Sequence, residues 1–281
     1  EQATCALWCP STGYVDPFDV AIACAENATA NGVIFLREAP VQAIDTLLGN
    51  APLPVGSRCL SDQPERFAIH TPKGTVRCRI LVNAAGNGAS LISHMAGAEE
   101  FKLAWRQGNI AVLDKEPRAL MPLYPVPTPI SKGVIVTGTV HGNTVITATA
   151  ALREPGDRDT YAADVETLLD GARKLVPDLD TRRVVRTFAG GRAVIEGLND
   201  FMIGPSAVLP GMFHAAGIQS PGVASAPAIA ERMDRVLHDT GLDLEKRPDW
   251  NPMRRAPEDF DRSSPQHQAE LIEHDPAWGR I

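Results

Sequence analysis

The fold of this chain is decided at residues 80–96, where the sequence is ILVNAAGNGASLISHMA. The apolar run at its start predicts a buried strand end, the small residues predict a tight turn, and a helix is expected from Ala89 to about Ala96. Residues 212–238 repeat this order around the turn GIQSPG at 217–222. Two strand–turn–helix units predict an α/β protein with a glycine-lined crevice.

Both turns are suited to binding an anion or the polar edge of a ring. A helix N-terminus carries unpaired backbone N–H groups, and glycines leave them unobstructed. Neither turn completes a nucleotide fingerprint: Gly86 and Gly88 lack a third glycine because position 91 is Leu, and residues 217–222 are not followed by Lys-Ser/Thr. The residues alone therefore allow either cofactor-binding turns or ordinary turns between strands and helices.

The rest of the chain predicts further helices and short strands. Asp16 before Pro17 marks the start of a helix that ends at Gly32, and a helix over residues 161–176 stops at Pro177. Strands are expected at residues 33–36, 41–44, 67–71, 75–82, 109–113, 133–139, 144–149, 184–188 and 212–216. Those between residues 101 and 149 predict an antiparallel sheet covered by the second helix.

Composition excludes several classes of function. The 281 residues include 27 basic and 34 acidic side chains, for a net charge of -7, and no basic stripe is present, so nucleic acid is not an expected partner. No apolar run approaches the roughly 20 residues that span a bilayer, and the first ten residues do not resemble a signal peptide. A cytoplasmic protein without a transmembrane segment is expected.

The cysteines favour reduced thiols over a disulfide framework. They are odd in number and mostly scattered. Cys5 and Cys9 are spaced like two zinc ligands, but no second Cys/His pair accompanies them, so no metal site is predicted. The chain begins with Glu1, so that both a processed product and a fragment stay open.

Seven short motifs occur in a specific order along the chain. They are GYVDP (13–17), AENA with NGV (25–33), LVNAAG (81–86), YPVP (124–127), TVHGN (139–143), FAGGR (188–192) and AAGIQSPG (215–222). Their order and spacing, from about Gly13 to Pro252, resemble FAD-dependent oxidoreductases of the D-amino-acid-oxidase superfamily. Within it they are most similar to the branch of glycerol-3-phosphate dehydrogenase and L-2-hydroxyglutarate oxidase.

The resemblance implies a mixed α/β fold, an incomplete FAD-binding Rossmann-like domain with an inserted antiparallel-sheet substrate domain. Residues 1–98 and 184–244 would be FAD-binding segments, 99–183 the substrate domain and 245–281 an arm or linker. The family's N-terminal βαβ unit with its G-x-G-x-x-G motif, which holds the FAD pyrophosphate, is not in this sequence. FAD is therefore expected to bind this chain as given weakly or not at all.

The resemblance also implies where FAD would lie. Val41 would be beside the adenine, and Ala85 and Gly86 near the adenosine and pyrophosphate. A helix N-terminus after residue 222 would stabilise negative charge on the reduced flavin. The expected contacts with the flavin side of the cofactor are Gly191, Gly217, Ile218, Gln219, Ser220 and Gly222.

Arg192 and His141 are the candidate catalytic residues. A guanidinium at Arg192 can clamp a substrate carboxylate or phosphate with two parallel hydrogen bonds, although Ala193 stands where many relatives have proline. His141 lies in a predicted hairpin turn and has a side chain suited to accept a hydroxyl proton. A surface salt bridge for Arg192 and a solvated turn position for His141 are the alternatives. His214, on an apolar strand, is expected to be a packed core residue.

The implied reaction is oxidation of a small hydroxy acid, a polyol phosphate resembling glycerol 3-phosphate, or an amino acid, by hydride transfer to flavin N5. The rival interpretation is a non-catalytic or truncated subunit that keeps the fold without binding flavin. HDPAWGRI at residues 274–281 resembles the stretch that, in some relatives, leads into a domain holding a two-iron, two-sulfur cluster. Such a domain or an electron-transfer subunit is an expected partner; a terminal segment whose Trp278 packs locally is the alternative.

Overall fold

The computed structural model describes most of the chain, in two compact units. The described residues are 4–53, 63–115, 121–127, 132–198, 200–242, 244, 246–254 and 258–279. Cys59, Glu245, Arg280 and Ile281 lie outside these ranges. The first unit comprises Glu1–Val20 and Leu36–Lys246, and the second comprises Ala21–Phe35 and Arg247–Ile281.

Local sequence signals mark the start of the first helix and the end of the second. The Asp16 carboxylate accepts a hydrogen bond from the backbone N–H of Phe18 at 2.8 Å, capping the first helix as predicted. Gly97, with φ 69°, ends the second helix in the left-handed conformation that glycine tolerates. The α-helices of the described residues are α1 (Pro17–Ala30), α2 (Ala89–Ala96), α3 (Ala162–Leu175), α4 (Gly222–Asp239) and α5 (Pro265–His274).

The strands of the described residues form three sheets. They are β1 (Ala43–Thr46), β2 (Phe67–Thr71), β3 (Gly74–Cys78), β4 (Leu81–Asn83), β5 (Leu103–Leu113), β6 (Ile135–Gly138), β7 (Thr144–Thr147), β8 (Ala151–Arg153), β9 (Val184–Ile195), β10 (Met202–Pro205) and β11 (Met212–Ala216). One three-stranded sheet is the antiparallel meander β1-β2-β3. In the other, β11 pairs in parallel with β4 and antiparallel with β10. The mixed α/β fold class is confirmed.

The five-stranded antiparallel sheet is organised around β5. β9 pairs with β5 from Leu103 to Leu113, while β7 and β8 pair with separate segments of it. Because β9 follows the whole length of β5, β7 and β8 must share the opposite edge. α3 packs on one face of this sheet, where Ala111, Ile146, Leu168 and Ala172 are fully buried together. That leaves the other face of the sheet clear of α3.

Several strand predictions differ from the structure. The strand expected over residues 75–82 is split, because β3 ends at Cys78 and β4 begins at Leu81 in a different sheet, and the strand expected over residues 109–113 already begins at Leu103. Residues 33–36 do not form a strand; the four side chains are 46 to 89% exposed, and no strand of the described residues pairs with them. The strand expected to stop at Phe188 continues to Ile195, because its pairing with β5 is uninterrupted through the glycine pair that suggested a turn. Arg192 therefore lies inside a long strand and not at its end.

The second unit contains a helix that the sequence did not predict. α5 begins after Ser264, whose hydroxyl accepts a hydrogen bond from the backbone N–H of His267, with Pro265 in the first turn. Trp278 stacks on Phe260 with ring centroids 5.8 Å apart. The tail thus has local structure of its own. Among the helices of the described residues, none has both the length and the hydropathy required to cross a bilayer.

Candidate functional site

The parallel pair β4 and β11 brings the two predicted turns to one edge of their sheet. Leu81 pairs with Met212, and Asn83 pairs with His214 two residues later. The carboxyl ends of neighbouring parallel strands meet at the same edge, where α/β proteins bind their ligands. The turn at residues 84–88, here called the first turn, and the turn at residues 217–221, the second turn, therefore lie side by side.

The first turn is built with little side-chain bulk. Gly86 adopts φ 56° and opens a short 3-10 segment, and a Cβ added there would meet no atom within 4 Å. Ala85 precedes it, and its backbone N–H points to the side-chain oxygen of Asn83 at 3.4 Å. The side-chain amide of Asn87 donates to the backbone oxygen of Gly191 at 3.1 Å. The first turn is thus connected to β9 of the five-stranded sheet.

The second turn requires glycine at both ends. Gly217 has φ 67°, and an added Cβ would lie 2.8 Å from the side chain of Ile195. A Cβ on Gly222 would lie 2.8 Å from the Ile218 side chain. Gly222 begins α4, an 18-residue helix whose positive dipole end faces this turn. Gln219 and Ser220 lie between, so the predicted residues 217–222 form one continuous backbone segment.

The open face of the five-stranded sheet carries two arginines beside two glycines. Arg106 pairs with Arg192, and Gly108 pairs with Gly190. Because side chains alternate along a strand, these four residues share the face opposite α3. An added Cβ on Gly190 would meet no atom within 4 Å, whereas Gly191 points to the other face, against the ring of Trp105.

Arg192 is held over Gly108. Its guanidinium donates to the backbone oxygen of Thr149 at 3.1 Å, and a Cβ on Gly108 would lie 2.5 Å from its Nη2. Burial lowers the pKa of Arg192, and the nearby charge of Arg106 lowers it further. The predicted role of Arg192 stays a prediction, but its surroundings differ from those of a surface salt bridge.

Arg106 is a residue of this region that sequence reasoning missed. Its guanidinium lies 3.5 Å from the side-chain oxygen of Gln219, so it reaches from the sheet to the second turn. Neither Arg106 nor Arg192 forms an ion pair with any carboxylate of the described residues. Two partly buried positive charges without a counter-charge are costly and create a place for an anion. The sequence predicts a strand only over residues 109–113, whereas β5 begins at Leu103, so Arg106 and Gly108 lie outside the predicted strand.

His141 is not brought together with Arg192. The turn that carries it follows β6 at the far end of the sheet, where Asn143 bonds the backbone oxygen of Leu113 at 3.0 Å. Leu113 is seven residues from Arg106 along β5. At about 3.3 Å per residue this is a separation of about 23 Å. His141 is 71% exposed and lies 3.6 Å from the Asp16 carboxylate.

Val41 lies just before β1. It packs against a buried cluster that includes Ile44, Phe67 and Met212. No hydrogen bond or ion pair of the described residues joins it to either turn. Its predicted place beside the adenine stays a prediction.

A buried polar chain lies behind the first turn. His214 is 1% exposed, as expected of a core residue, and its Nε2 lies 3.0 Å from the Glu99 carboxylate. Its Nδ1 lies 3.3 Å from the side-chain nitrogen of Asn83. No group of three or more His, Cys, Asp or Glu side chains in the described part of the chain is arranged to hold a metal ion.

Similarity to known proteins agrees with this architecture. The DAO family, described as FAD dependent oxidoreductase, matches residues 1–235. Glycerol 3-phosphate dehydrogenase of Caloramator mitchellensis is 32% identical over 280 residues, which are 98% of this chain and 55% of that protein. Glycerol 3-phosphate oxidase of Mycoplasma genitalium is 30% identical over 176 residues, which are 61% of this chain and 45% of that protein.

Solved structures give the same result. Dithionite-reduced L-α-glycerophosphate oxidase of Mycoplasma pneumoniae with FAD bound superposes with a TM-score of 0.70 at 26% identity, covering 83% of this chain and 58% of that one. L-proline dehydrogenase of P. horikoshii has the same fold, with a TM-score of 0.66 at 22% identity, covering 80% of this chain and 56% of that one. The chain spans about half the length of the curated relatives it matches. It belongs to the DAO family of FAD-dependent oxidoreductases, whose cofactor is FAD.

Proposed function

We propose that the protein carrying this sequence is a flavoenzyme that oxidises a phosphorylated polyol resembling glycerol 3-phosphate. The observation that carries the substrate class is the pair of arginines, Arg106 and Arg192, on one face of the sheet with no carboxylate partner among the described residues. The similarity to glycerol 3-phosphate dehydrogenase and oxidase supports the same substrate class.

Charge balance favours a phosphate over a carboxylate. A phosphate monoester carries a charge of about −1.5 to −2 at neutral pH and offers three acceptor oxygens. Two guanidinium groups match that charge and can each donate two hydrogen bonds. A carboxylate would neutralise only one of them, leaving Arg106 or Arg192 partly buried and unpaired. Hydroxy acids and amino acids are therefore the weaker candidates.

The two turns fit the FAD that the family implies. Gly86 leaves open space at the first turn, and the second turn ends at the N-terminus of α4. In this proposal Val41, Ala85 and Gly86 hold the adenosine side, and Gly191 with Gly217, Ile218, Gln219, Ser220 and Gly222 holds the flavin side. When bound, FAD supplies a two-electron acceptor that takes a hydride at N5.

The chain's own residues would bind and orient the substrate. Arg192, fixed by the Thr149 carbonyl, and Arg106, in contact with Gln219, would grip the phosphate and hold the oxidised carbon at a set distance from it. Gly190 leaves the sheet surface beside them free of side chains, whereas Gly108 makes room for the guanidinium of Arg192. His141 is not part of this arrangement, because it lies at the other end of β5.

Reoxidation belongs to the same proposal. The resemblance of residues 274–281 to a linker supports electron transfer to an iron–sulfur domain or to a separate subunit. The natural protein would then show the electron paramagnetic resonance signal of a two-iron, two-sulfur cluster after dithionite reduction. A flavin that is reoxidised by oxygen alone, without such a signal, would refute this part.

Anaerobic flavin bleaching tests the substrate class. The protein is expressed as its gene encodes it, and the yellow form is mixed separately with glycerol 3-phosphate, glycerol, 2-hydroxyglutarate and proline. We expect loss of flavin absorbance with glycerol 3-phosphate and none with glycerol, since only the phosphate engages both arginines. If only proline or 2-hydroxyglutarate bleached the flavin, we would conclude that the substrate is a carboxylate and not a phosphate ester. A protein that contains no flavin would support the non-catalytic interpretation.

A further inference from the structure

The buried chain of Asn83, His214 and Glu99 lies outside the proposed binding surface, yet it ends at the first turn. Asn83 and His214 are 2% and 1% exposed. They are direct partners across the parallel pair β4 and β11. The ring of Phe101 stands edge-on to His214, with ring centroids 5.8 Å apart.

The hydrogen bonds around Glu99 indicate which ring nitrogen of His214 carries a hydrogen. The Glu99 carboxylate accepts from the Ser206 hydroxyl and from the backbone N–H of Ala207, both at 2.5 Å. Burial raises the pKa of Glu99, but these bonds and the one from His214 outweigh it, and the net pKa lies below the ordinary value. An ionised carboxylate only accepts, so Nε2 of His214 carries a hydrogen, and Nδ1, which faces the donating side-chain nitrogen of Asn83, is assigned as the acceptor of that pair.

The side chain of Asn83 links the Nδ1 acceptor of His214 to the first turn. Its side-chain nitrogen donates to the backbone oxygen of Ala89, the first residue of α2, at 2.8 Å, and also faces Nδ1 of His214. Its side-chain oxygen faces the backbone N–H of Ala85. The amide therefore spans the turn from its first residues to the start of α2, and only one orientation of the amide satisfies all three groups.

We propose that His214 and Glu99 are positioning residues that hold the first turn through Asn83 and thereby set the affinity for FAD without touching it. This rests on the proposed function, in which Ala85 and Gly86 contact the cofactor. A turn held in its binding conformation gives up less order when the ligand binds. Removing the acceptor at position 214 leaves one buried N–H of Asn83 without a partner and removes one of the three contacts that fix the orientation of its amide.

The test measures FAD dissociation constants by flavin fluorescence on apoprotein prepared from the natural protein. In His214→Phe, which keeps a ring but has no nitrogen, we expect the dissociation constant to rise about tenfold, as an unsatisfied buried donor implies. His214→Asn places a carbonyl oxygen near the position of Nδ1. It is expected to return the dissociation constant to within about threefold of wild type.

Two further variants separate this role from general stability. Ile146→Val removes one buried methyl group from the five-stranded sheet and so lowers stability, and it is expected to leave FAD affinity unchanged. Glu99→Gln keeps the shape of a partly exposed side chain but no longer requires the hydrogen on Nε2. We expect it to weaken FAD binding severalfold alone, and to have no added effect in the His214→Asn background.

The outcomes are distinct. Weakening by His214→Phe with recovery in His214→Asn, or the non-additive effect of Glu99→Gln if His214→Phe does not fold, supports the inference. Wild-type FAD affinity in His214→Phe and Glu99→Gln overturns it, as does equal weakening by Ile146→Val. A wild-type protein that binds no FAD overturns the proposed function, and this inference with it.

Discussion

Replacing Gly108 with alanine should displace Arg192 while leaving the protein folded. The new Cβ would lie 2.5 Å from Nη2, 2.9 Å from Cζ and 3.0 Å from Nη1 of Arg192. Since non-bonded heavy atoms prefer about 3.5 Å or more, the guanidinium must move by about 1 Å. The atoms that must move are the end of a flexible side chain, so the fold adapts at little cost. The hydrogen bond to the Thr149 carbonyl, now 3.1 Å, would be stretched or lost.

The expected result is a loss of kcat/KM for glycerol 3-phosphate of roughly 10- to 100-fold, because a displacement of about 1 Å in a substrate-positioning group has that effect. The melting temperature should change little. Steady-state kinetics and thermal unfolding of the natural protein measure both. Gly204→Ala is the matched control, since Gly204 is also a strand glycine and an added Cβ there meets no atom within 4 Å.

The reasoning is refuted if Gly108→Ala has wild-type kinetics while its stability is unchanged. A large fall in melting temperature would also refute it, because the strain would then reside in the backbone of β5 and not in the arginine. The control should match wild type in both measurements.

Three other predictions concern charge and cofactor binding. Arg192→Lys should raise the KM for substrate tenfold or more, because the point charge of lysine cannot replace the two parallel hydrogen bonds of a guanidinium. Arg182→Lys is the control and should leave the KM unchanged, since the Arg182 side chain is 89% exposed; equal KM values for the two variants would argue against substrate binding by Arg192. The ionised Glu99 carboxylate, whose pKa is lowered in the folded state, should stabilise the protein above the ordinary pKa of 4.5, and this contribution should be lost as the pH falls through the lower folded pKa. Wild type and Glu99→Gln should therefore differ in urea midpoint at pH 7 and converge in acid. A difference that stays constant with pH would contradict this. The 281-residue polypeptide alone should bind FAD weakly or not at all, because it has no G-x-G-x-x-G segment, and stoichiometric tight binding in a fluorescence titration would refute that.

Elements with local signals were predictable from sequence. α2 was predicted with its observed bounds, because the small residues before Ala89 and the glycine after Ala96 are both local. The sequence predicts that β9 ends at Phe188, because Gly190 and Gly191 are typical of a turn. What extends that strand is pairing with β5, about 80 residues earlier in sequence, where Gly191 makes room for the ring of Trp105.

The sequence predicts the two turns of the candidate site but not the contacts between its charged side chains. The two turns follow strands whose parallel pairing is the expected arrangement, so residues 84–88 and 217–221 were found. The pairing of Arg106 with Arg192, and of Glu99 with His214, joins residues 86 and 115 positions apart. One sequence contains no signal for contacts of that separation. The domain division, the cofactor contacts and the role of Arg192 stay predictions.

The hydrogen bond from Asn87 to the backbone of Gly191 has a consequence for regulation of binding. Its acceptor belongs to the residue next to Arg192, and its donor belongs to the first turn. An anion bound at Arg192 should restrict the motion of β9 and, through the Gly191 carbonyl, that of Asn87 in the first turn. We therefore expect the binding of phosphate and the binding of FAD to be positively coupled. Thermodynamic reciprocity then requires each ligand to raise the affinity of the other by the same factor, and Asn87→Ala should bring that factor close to one.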